Sequence, residues 1–303
     1  MSHPLPAPPM PGWLESMLPF RRYTLEVDNY FFHVMESGPE DGPVVYLQHG
    51  NPTWSFLYRD VAKALEGSGL RVIMPDLLGL GFSEKPTDTS LHTLKNHSKW
   101  MAGILDALGV ESLIMGVQDW GGPIGTLAAG AKPGRIKGAV VMNTGLTPPK
   151  PGFKPTAFHA LSQTPIISDF VFKTLAFPQC SLSMAQGDFG SIMGDVHRAY
   201  TWPLKRKKDR TAPLALARMV PNTMEHPSIA PMAECQDIIT SFDGPAEIVW
   251  GKRDPVLGRL LKRTRLLLPQ APATVTGAGH FLQEEVSGEI AQAIGRVAKQ
   301  LGW

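Results

Sequence analysis

The sequence predicts an α/β protein: a mostly parallel, eight-stranded sheet flanked by helices, with a helical cap inserted late in the sheet. Three observations lead there. From residue 22 onward, short apolar runs alternate with segments of helical period. Several runs, such as Val44-Val45-Tyr46-Leu47 and Ala139-Val140-Val141-Met142, are apolar without a break, as in strands covered on both faces. One stretch, 147–225, carries no strand pattern at all and is rich in Pro, Phe and Met.

Taken in order, residues 1–20 read as a proline-rich extended arm. Strands are expected at 23–27, 30–36, 44–48, 71–75, 112–116, 137–142, 246–250 and 273–276. The first two can pair as a hairpin. Helical patterns occupy roughly 54–67, 92–108, 122–131, 229–241, 256–267 and 284–300. The last carries Val286, Ile290, Ile294 and Val297 three and four residues apart, the apolar stripe of a surface helix. The main domain is then 1–146 together with 226–303, and the cap is 147–225. The cap opens on Pro148, Pro149, Pro151 and Pro155. Its Phe153, Phe158, Phe170, Phe172, Phe177, Met184, Phe189 and Met193 are candidates either to line a pocket or to pack the cap helices together.

Composition excludes several function classes. A chain of 303 residues with 43% apolar and 18% charged residues is globular and long enough to bury a core. A formal charge of +2 does not point to nucleic acid or an anionic membrane. The one dense basic run, Lys205-Arg206-Lys207-Lys208, is broken by Asp209 and reads as a solvated face. Cys180 and Cys235, the only cysteines, have no metal-ligand spacing and read as free thiols of a reducing compartment, the cytoplasm. The N-terminus lacks the apolar core of a signal peptide, and no run approaches the length of a membrane span.

The chemistry is concentrated in four motifs. In Gly116-Val117-Gln118-Asp119-Trp120-Gly121-Gly122 a strand runs into a glycine-flanked turn and a helix, the context of a nucleophile elbow. The central residue is Asp119 where a serine is usual. A carboxylate is ionised at neutral pH and needs no base to remove a proton. It suits displacement of a good leaving group from saturated carbon, or opening of a strained ring, and would form an ester on Asp119. The alternative is that Asp119 merely caps the following helix. In Gln48-His49-Gly50-Asn51-Pro52 the backbone N–H of Asn51, with that of Trp120, would form an oxyanion hole; the Asn51-Pro52 bond is a candidate for cis. Gly277-Ala278-Gly279-His280 follows the last strand, where the base belongs. Asp254, in Gly251-Lys252-Arg253-Asp254-Pro255, can hold the imidazole tautomer, cap the next helix ahead of Pro255, or do both. Asn143, after the strand at 137–142, stands at the other position for this acid but cannot ionise. The glycine-rich turn Asp76–Ser83 has no third glycine and no helix behind it. It therefore reads as structural, with Asp76 bonding the loop backbone.

These residues resemble the haloalkane dehalogenases, of the α/β-hydrolase superfamily, from about Phe20 to Leu301. The most specific pieces are HGNPTWSFLYR at 49–59, DLLGLGFSEKP at 76–86, VQDWGG at 117–122, GKRDP at 251–255 and GHFLQEE at 279–285. The resemblance implies Asp119 as nucleophile, His280 as base, Asp254 as acid, and the Trp120 indole N–H as first halide donor. Family branches differ in the second donor: a cap Trp in one, the Asn matching Asn51 in others. The combination of Asn51 and Asp254 resembles a branch that combines an Asp-His-Asp triad with Asn and Trp donors. The cap matches least well. The expected activity is hydrolytic dehalogenation of small haloalkanes to an alcohol, halide and a proton. The partners are the haloalkane, water and the halide ion, with no nucleic acid or membrane, and neither metal nor organic cofactor is implied.

Rivals share the fold. An epoxide hydrolase would need acids for its basic leaving oxygen, which that family takes from two cap tyrosines; 147–225 contains only Tyr200. A fluoroacetate-type enzyme would carry arginine behind the nucleophile, where Trp-Gly-Gly-Pro stands. A serine esterase lacks its serine. A catalytically inactive binding protein would be expected to lose a triad member, and all three are present.

Overall fold

A computed structural model describes residues 4–153 and 157–303, the side chains of 157–159 excepted. Nine strands form one sheet: β1 (Leu5–Pro6), β2 (Arg21–Val27), β3 (Tyr30–Ser37), β4 (Val44–Gln48), β5 (Arg71–Pro75), β6 (Leu113–Asp119), β7 (Ile136–Thr144), β8 (Ala246–Gly251) and β9 (Ala273–Thr276). Their order is β1-β2-β3-β5-β4-β6-β7-β8-β9. The pairs from β5 through β9 are parallel, and those among β1, β2, β3 and β5 are antiparallel. The ninth strand is the correction to the expected eight. The N-terminal arm adds two residues to the edge, Leu5 against Thr24 and Pro6 against Tyr23, a place where proline is tolerated.

The unbroken apolar runs divide between two layers because successive strand side chains point to opposite faces. Tyr46, Met115, Val141 and Ile248 pack with Trp100, Ile104, Ile124 and Ile239 of the helices Leu94–Ala107, Gly121–Gly130 and Ile229–Thr240. Val45, Leu47, Ile114, Val140 and Val249 pack on the other face with Val61, Ile290, Ile294 and Val297 of the helices Arg59–Ala64 and Ser287–Leu301. Ile290, Ile294 and Val297 are fully buried, and each contributes about 1.5–3 kcal/mol of burial free energy. That helix ends at Gly302, whose φ of +74° is left-handed, a conformation glycine adopts without strain.

Between β7 and β8 no strand occurs among the described residues. The segment is built of short helices, Gly194–Thr201 and Thr211–Arg218 among them, and of 3-10 turns. It lies over the C-terminal edge of the parallel strands. There the Trp54 indole donates to Ala199 O at 3.1 Å, and the Tyr200 hydroxyl donates to Glu284 Oε1. Arg59 grips the same Glu284 through both oxygens at 2.6 and 2.7 Å. Of the apolar residues suggested as pocket lining, Phe170, Met184, Phe189 and Met193 are instead exposed by 51–75%. Phe172 is buried against Leu214 and Ala217, and the Phe158 side chain lies outside the described residues. No helix among the described residues is long and apolar enough to cross a membrane.

Candidate active site

Strand β6 runs three residues beyond its expected end and finishes on Asp119, whose φ of +51° turns the chain sharply into the helix Gly121–Gly130. Such a φ is costly for a residue with a side chain; here the surroundings impose it. Thr144 Oγ1 donates to the Asp119 carbonyl at 2.6 Å. A Cβ on Gly121 would stand 2.1 Å from Gln48 O, and one on Gly122 would stand 1.8 Å from Thr144 Oγ1, so only glycine allows the turn to close against β4 and β7. The helix is preceded by Trp120 and has no side-chain cap. Asp119 does not cap it.

The two carboxylate oxygens of Asp119 have different surroundings. Oδ1 accepts the Asn51 backbone N–H at 2.7 Å. Oδ2 lies 3.5 Å from His280 Nε2. A Cβ on Gly50 would stand 2.3 Å from Oδ1 and 2.6 Å from Trp120 N, so the loop of Asn51 and the turn of Trp120 meet at this oxygen. The Asn51-Pro52 peptide is cis. The Asn51 side chain is tied to the overlying segment, its Nδ2 donating to Pro213 O at 3.0 Å; an amide nitrogen has two hydrogens, so one is left for another acceptor. Trp120 is 8% exposed and part of the apolar layer beneath.

On the far side of the imidazole, His280 Nδ1 lies 2.9 Å from Asp254 Oδ2. Asp254 does both things expected of it. Its Oδ1 accepts the N–H groups of Val256 and Leu257 at 2.7 and 3.1 Å, capping the turn, while Oδ2 faces His280. Asn143 donates to that same Oδ2 at 2.7 Å and brackets Gly251 through its carbonyl and its N–H at 2.9 and 2.7 Å. The residue passed over as the acid is thus the clamp that orients it. Burial alone would raise Asp254, but the His280 charge and the hydrogen bonds from His280, Asn143 and Leu257 hold it below the usual carboxylate value. Burial pushes His280 down. The Asp254 charge, with hydrogen bonds to Asp119 and Asp254, outweighs this and raises the imidazole to about 10. In the resting site the proton therefore sits between two carboxylates.

The loop carrying His280 is laced to the segment above it. His280 N–H donates to Ala185 O at 2.8 Å. Phe281 N–H donates to Gln186 Oε1 at 2.9 Å, and Gln186 Nε2 donates back to Phe281 O at 3.1 Å. Glu285 accepts the N–H groups of Gly187, Asp188 and Gly279 at 3.0, 2.8 and 2.8 Å. Neither Gln186 nor Glu285 was singled out from sequence. Glu285 does fall inside the GHFLQEE match, and that was the available signal. A Cβ on Gly279 would stand 2.3 Å from Ala185 O, which explains the glycine before the histidine. Asp76 behaves as a structural residue, accepting from Ser55 N and Phe82 N at 2.7 and 2.8 Å. A separate open cleft of about 400 Å³ between Glu40 and Trp303 lies at the opposite, N-terminal ends of β4, β5 and β6 and shares no residue with the site.

Known proteins bear on this geometry. Residues 43–286 match the family model for the alpha/beta hydrolase fold. A haloalkane dehalogenase of Mycobacterium marinum is 33% identical, covering 86% of this chain and 86% of that protein. A cis-3-alkyl-4-alkyloxetan-2-one decarboxylase of Shewanella oneidensis is 31% identical, covering 91% and 88%. The crystal structure of haloalkane dehalogenase DbeA from Bradyrhizobium elkani superposes with a TM-score of 0.83 over 93% of this chain and 99% of that one, at 22% identity. By the family match over 43–286 and the 33% identity over most of both chains, the chain belongs to the α/β-hydrolase fold family and, within it, to the haloalkane dehalogenases.

Proposed function

We propose that this enzyme hydrolyses small haloalkanes through a covalent alkyl ester on Asp119. The observation that carries the proposal is the split Asp119 carboxylate: Oδ1 parked on the Asn51 N–H at 2.7 Å, Oδ2 left toward His280. Oδ2 attacks the carbon opposite the halogen, the carbon–halogen pair departs with the halide, and Oδ1 becomes the ester carbonyl already seated in the hole. A departing halide is a weak base and needs only N–H donors, not an acid. The Trp120 indole and the remaining N–H of the Asn51 amide supply them. Alkylation removes the Asp119 charge, and with it part of what raises His280. The imidazole then gives up its proton to solvent more readily and becomes the base for water. Asp254 stabilises the imidazolium that forms. Two unpaired thiols, Cys180 and Cys235, fit the cytoplasm.

An epoxide substrate is disfavoured because the one tyrosine of 147–225 spends its hydroxyl on Glu284. A four-membered lactone is a second candidate. The resemblance to the oxetanone decarboxylase supports it, and the hold of Pro213 on Asn51 Nδ2 leaves fewer donors for a halide. The test is a panel of 1-bromobutane, an epoxide and a 3,4-dialkyloxetan-2-one, assayed for halide, diol, and carbon dioxide with alkene. Halide release from bromobutane is the expected result. Diol without halide, or alkene without halide, would replace the proposal. No product, with no alkyl group on Asp119, would leave a binding protein.

A further inference from the structure

Gln118 immediately precedes the nucleophile and is completely buried. Its side-chain Nε2 donates to the His280 carbonyl at 3.0 Å and lies 3.4 Å from His280 Nε2. Its Oε1 is buried and accepts from no donor among the described residues. The orientation of the amide is set by the His280 carbonyl: turned over, oxygen would face oxygen and the NH2 would be stranded. A buried acceptor beside the base, with nothing donating to it, marks the place of a donor that arrives during the reaction.

The reaction supplies such a donor. The attacking water has two hydrogens. One goes to His280 Nε2; the other needs an acceptor if a lone pair is to stay aimed at the ester carbon. In an amide, O and N are about 2.2 Å apart, from the two bond lengths and a trigonal angle. Oε1 therefore lies within about 5.6 Å of His280 Nε2, and two water hydrogen bonds of about 2.8 Å span that distance. Resting on the alkyl-ester reading above, we propose that Gln118 Oε1 is the second hydrogen-bond acceptor of the hydrolytic water, making Gln118 a catalytic residue of the ester-hydrolysis half-reaction.

The step balances. As the water oxygen bonds to Asp119 Cγ, its O–H pair is released by proton transfer to His280 Nε2, and its other hydrogen stays on the oxygen, held by Gln118. The C=O π pair moves onto Oδ1, against the Asn51 N–H. On collapse the Oδ1 pair re-forms the C=O bond and the Cγ–Oδ2 bond breaks, so that Oδ2 leaves with the alkyl group as an alkoxide, which takes the proton from the imidazolium. The carboxylic acid left on Asp119 passes its proton to His280, which restores the resting imidazolium. Two fixed acceptors orient the water; one alone would let it turn about the Nε2 hydrogen bond.

The role belongs to one half-reaction, so rapid-quench kinetics with 1-bromobutane isolate it. In Gln118→Leu, first-turnover halide release stays within about 3-fold of wild type while ester hydrolysis slows by about 10- to 100-fold, and intact mass shows the butyl group accumulating on the enzyme. Gln118→Met replaces it should the leucine variant fail to fold. Gln118→Glu separates this role from simple support of the His280 loop: it keeps an acceptor and loses the donor to the His280 carbonyl. Hydrolysis faster in Gln118→Glu than in Gln118→Leu is expected. Equal slowing in both, or a wild-type hydrolysis rate in Gln118→Leu with the burst intact, would overturn the inference alone. A wild-type enzyme that releases no halide and takes up no alkyl group would overturn the ester reading, and the inference with it.

Discussion

Among the described residues, two buried pairs in which His Nδ1 is hydrogen-bonded to Asp Oδ2 are nearly twins by local geometry. His33 Nδ1 is 2.8 Å from Asp76 Oδ2, and His280 Nδ1 is 2.9 Å from Asp254 Oδ2. Each aspartate also accepts two backbone N–H groups, Ser55 and Phe82 for Asp76, Val256 and Leu257 for Asp254. They part at the other imidazole nitrogen. In His33 it accepts from Arg22 Nε at 3.2 Å, and the pair is closed. In His280 it faces Asp119 Oδ2 at 3.5 Å and the amide nitrogen of Gln118 at 3.4 Å. An Asp–His pair is a structural unit by default; what makes one a reaction centre is a far nitrogen left facing something that can change.

The sharpest way to break this contrast is to remove each imidazole. His280→Phe should end turnover after one cycle, with halide released once and the alkyl group retained on the 117–122 peptide by mass spectrometry. His33→Phe should leave the turnover of folded enzyme within a few-fold of wild type while lowering its melting temperature, because Asp76 is left buried without its partner. Equal loss of turnover in both would erase the distinction. Next in size are the acids. Asp254→Asn is expected to slow ester hydrolysis by about 10³–10⁴-fold through the wrong tautomer. Asp76→Asn is expected to cost about 3–5 kcal/mol of stability with little change in kcat, as read from denaturant titration and initial rates.

The smallest effect is on stability against pH. The His280 value is raised to about 10 in the folded enzyme. Its contribution to stability is therefore complete below about pH 6.5 and disappears as pH rises through about 10. Asp76 moves the other way. Burial opposes its charge, but His33, His49 and the Phe82 N–H bring it to about 2, so its contribution is present above about pH 4 and fades as pH falls toward 2. Melting temperatures measured across pH should show both limbs. His280→Phe should flatten only the alkaline one; a slope unchanged by that substitution would place the alkaline sensitivity elsewhere.

The main sheet was legible because its strands are continuous apolar runs bounded by Gly and Pro, and because the elbow needs glycines where Gly121 and Gly122 stand. The elbow, Asp254 and His280 each sit beside a local signature, and the fold brings them together. What sequence could not supply depends on which strands are neighbours. Asn143 becomes a clamp only because β7 lies beside β8, and Gln118 gains meaning only when the 277–285 loop folds over it. Strand β1 is two residues long, too short for any period. The segment 147–225 resisted for a different reason: its described helices run a turn or two between prolines and glycines, and exposed Met184 and Phe189 carry the same letters as core residues.

The lacing between Ala185–Asp188 and Gly279–Glu285 has a practical consequence for recombination among relatives. Five hydrogen bonds cross between them: His280 N–H to Ala185 O, the two between Phe281 and Gln186, and those of Gly187 and Asp188 to Glu285. A chimera that takes 185–188 from one parent and 279–285 from another would reassign all of them at once. The unit of exchange is therefore 185–188 with 279–285 attached, and a crossover point placed between them would disturb the backbone around His280.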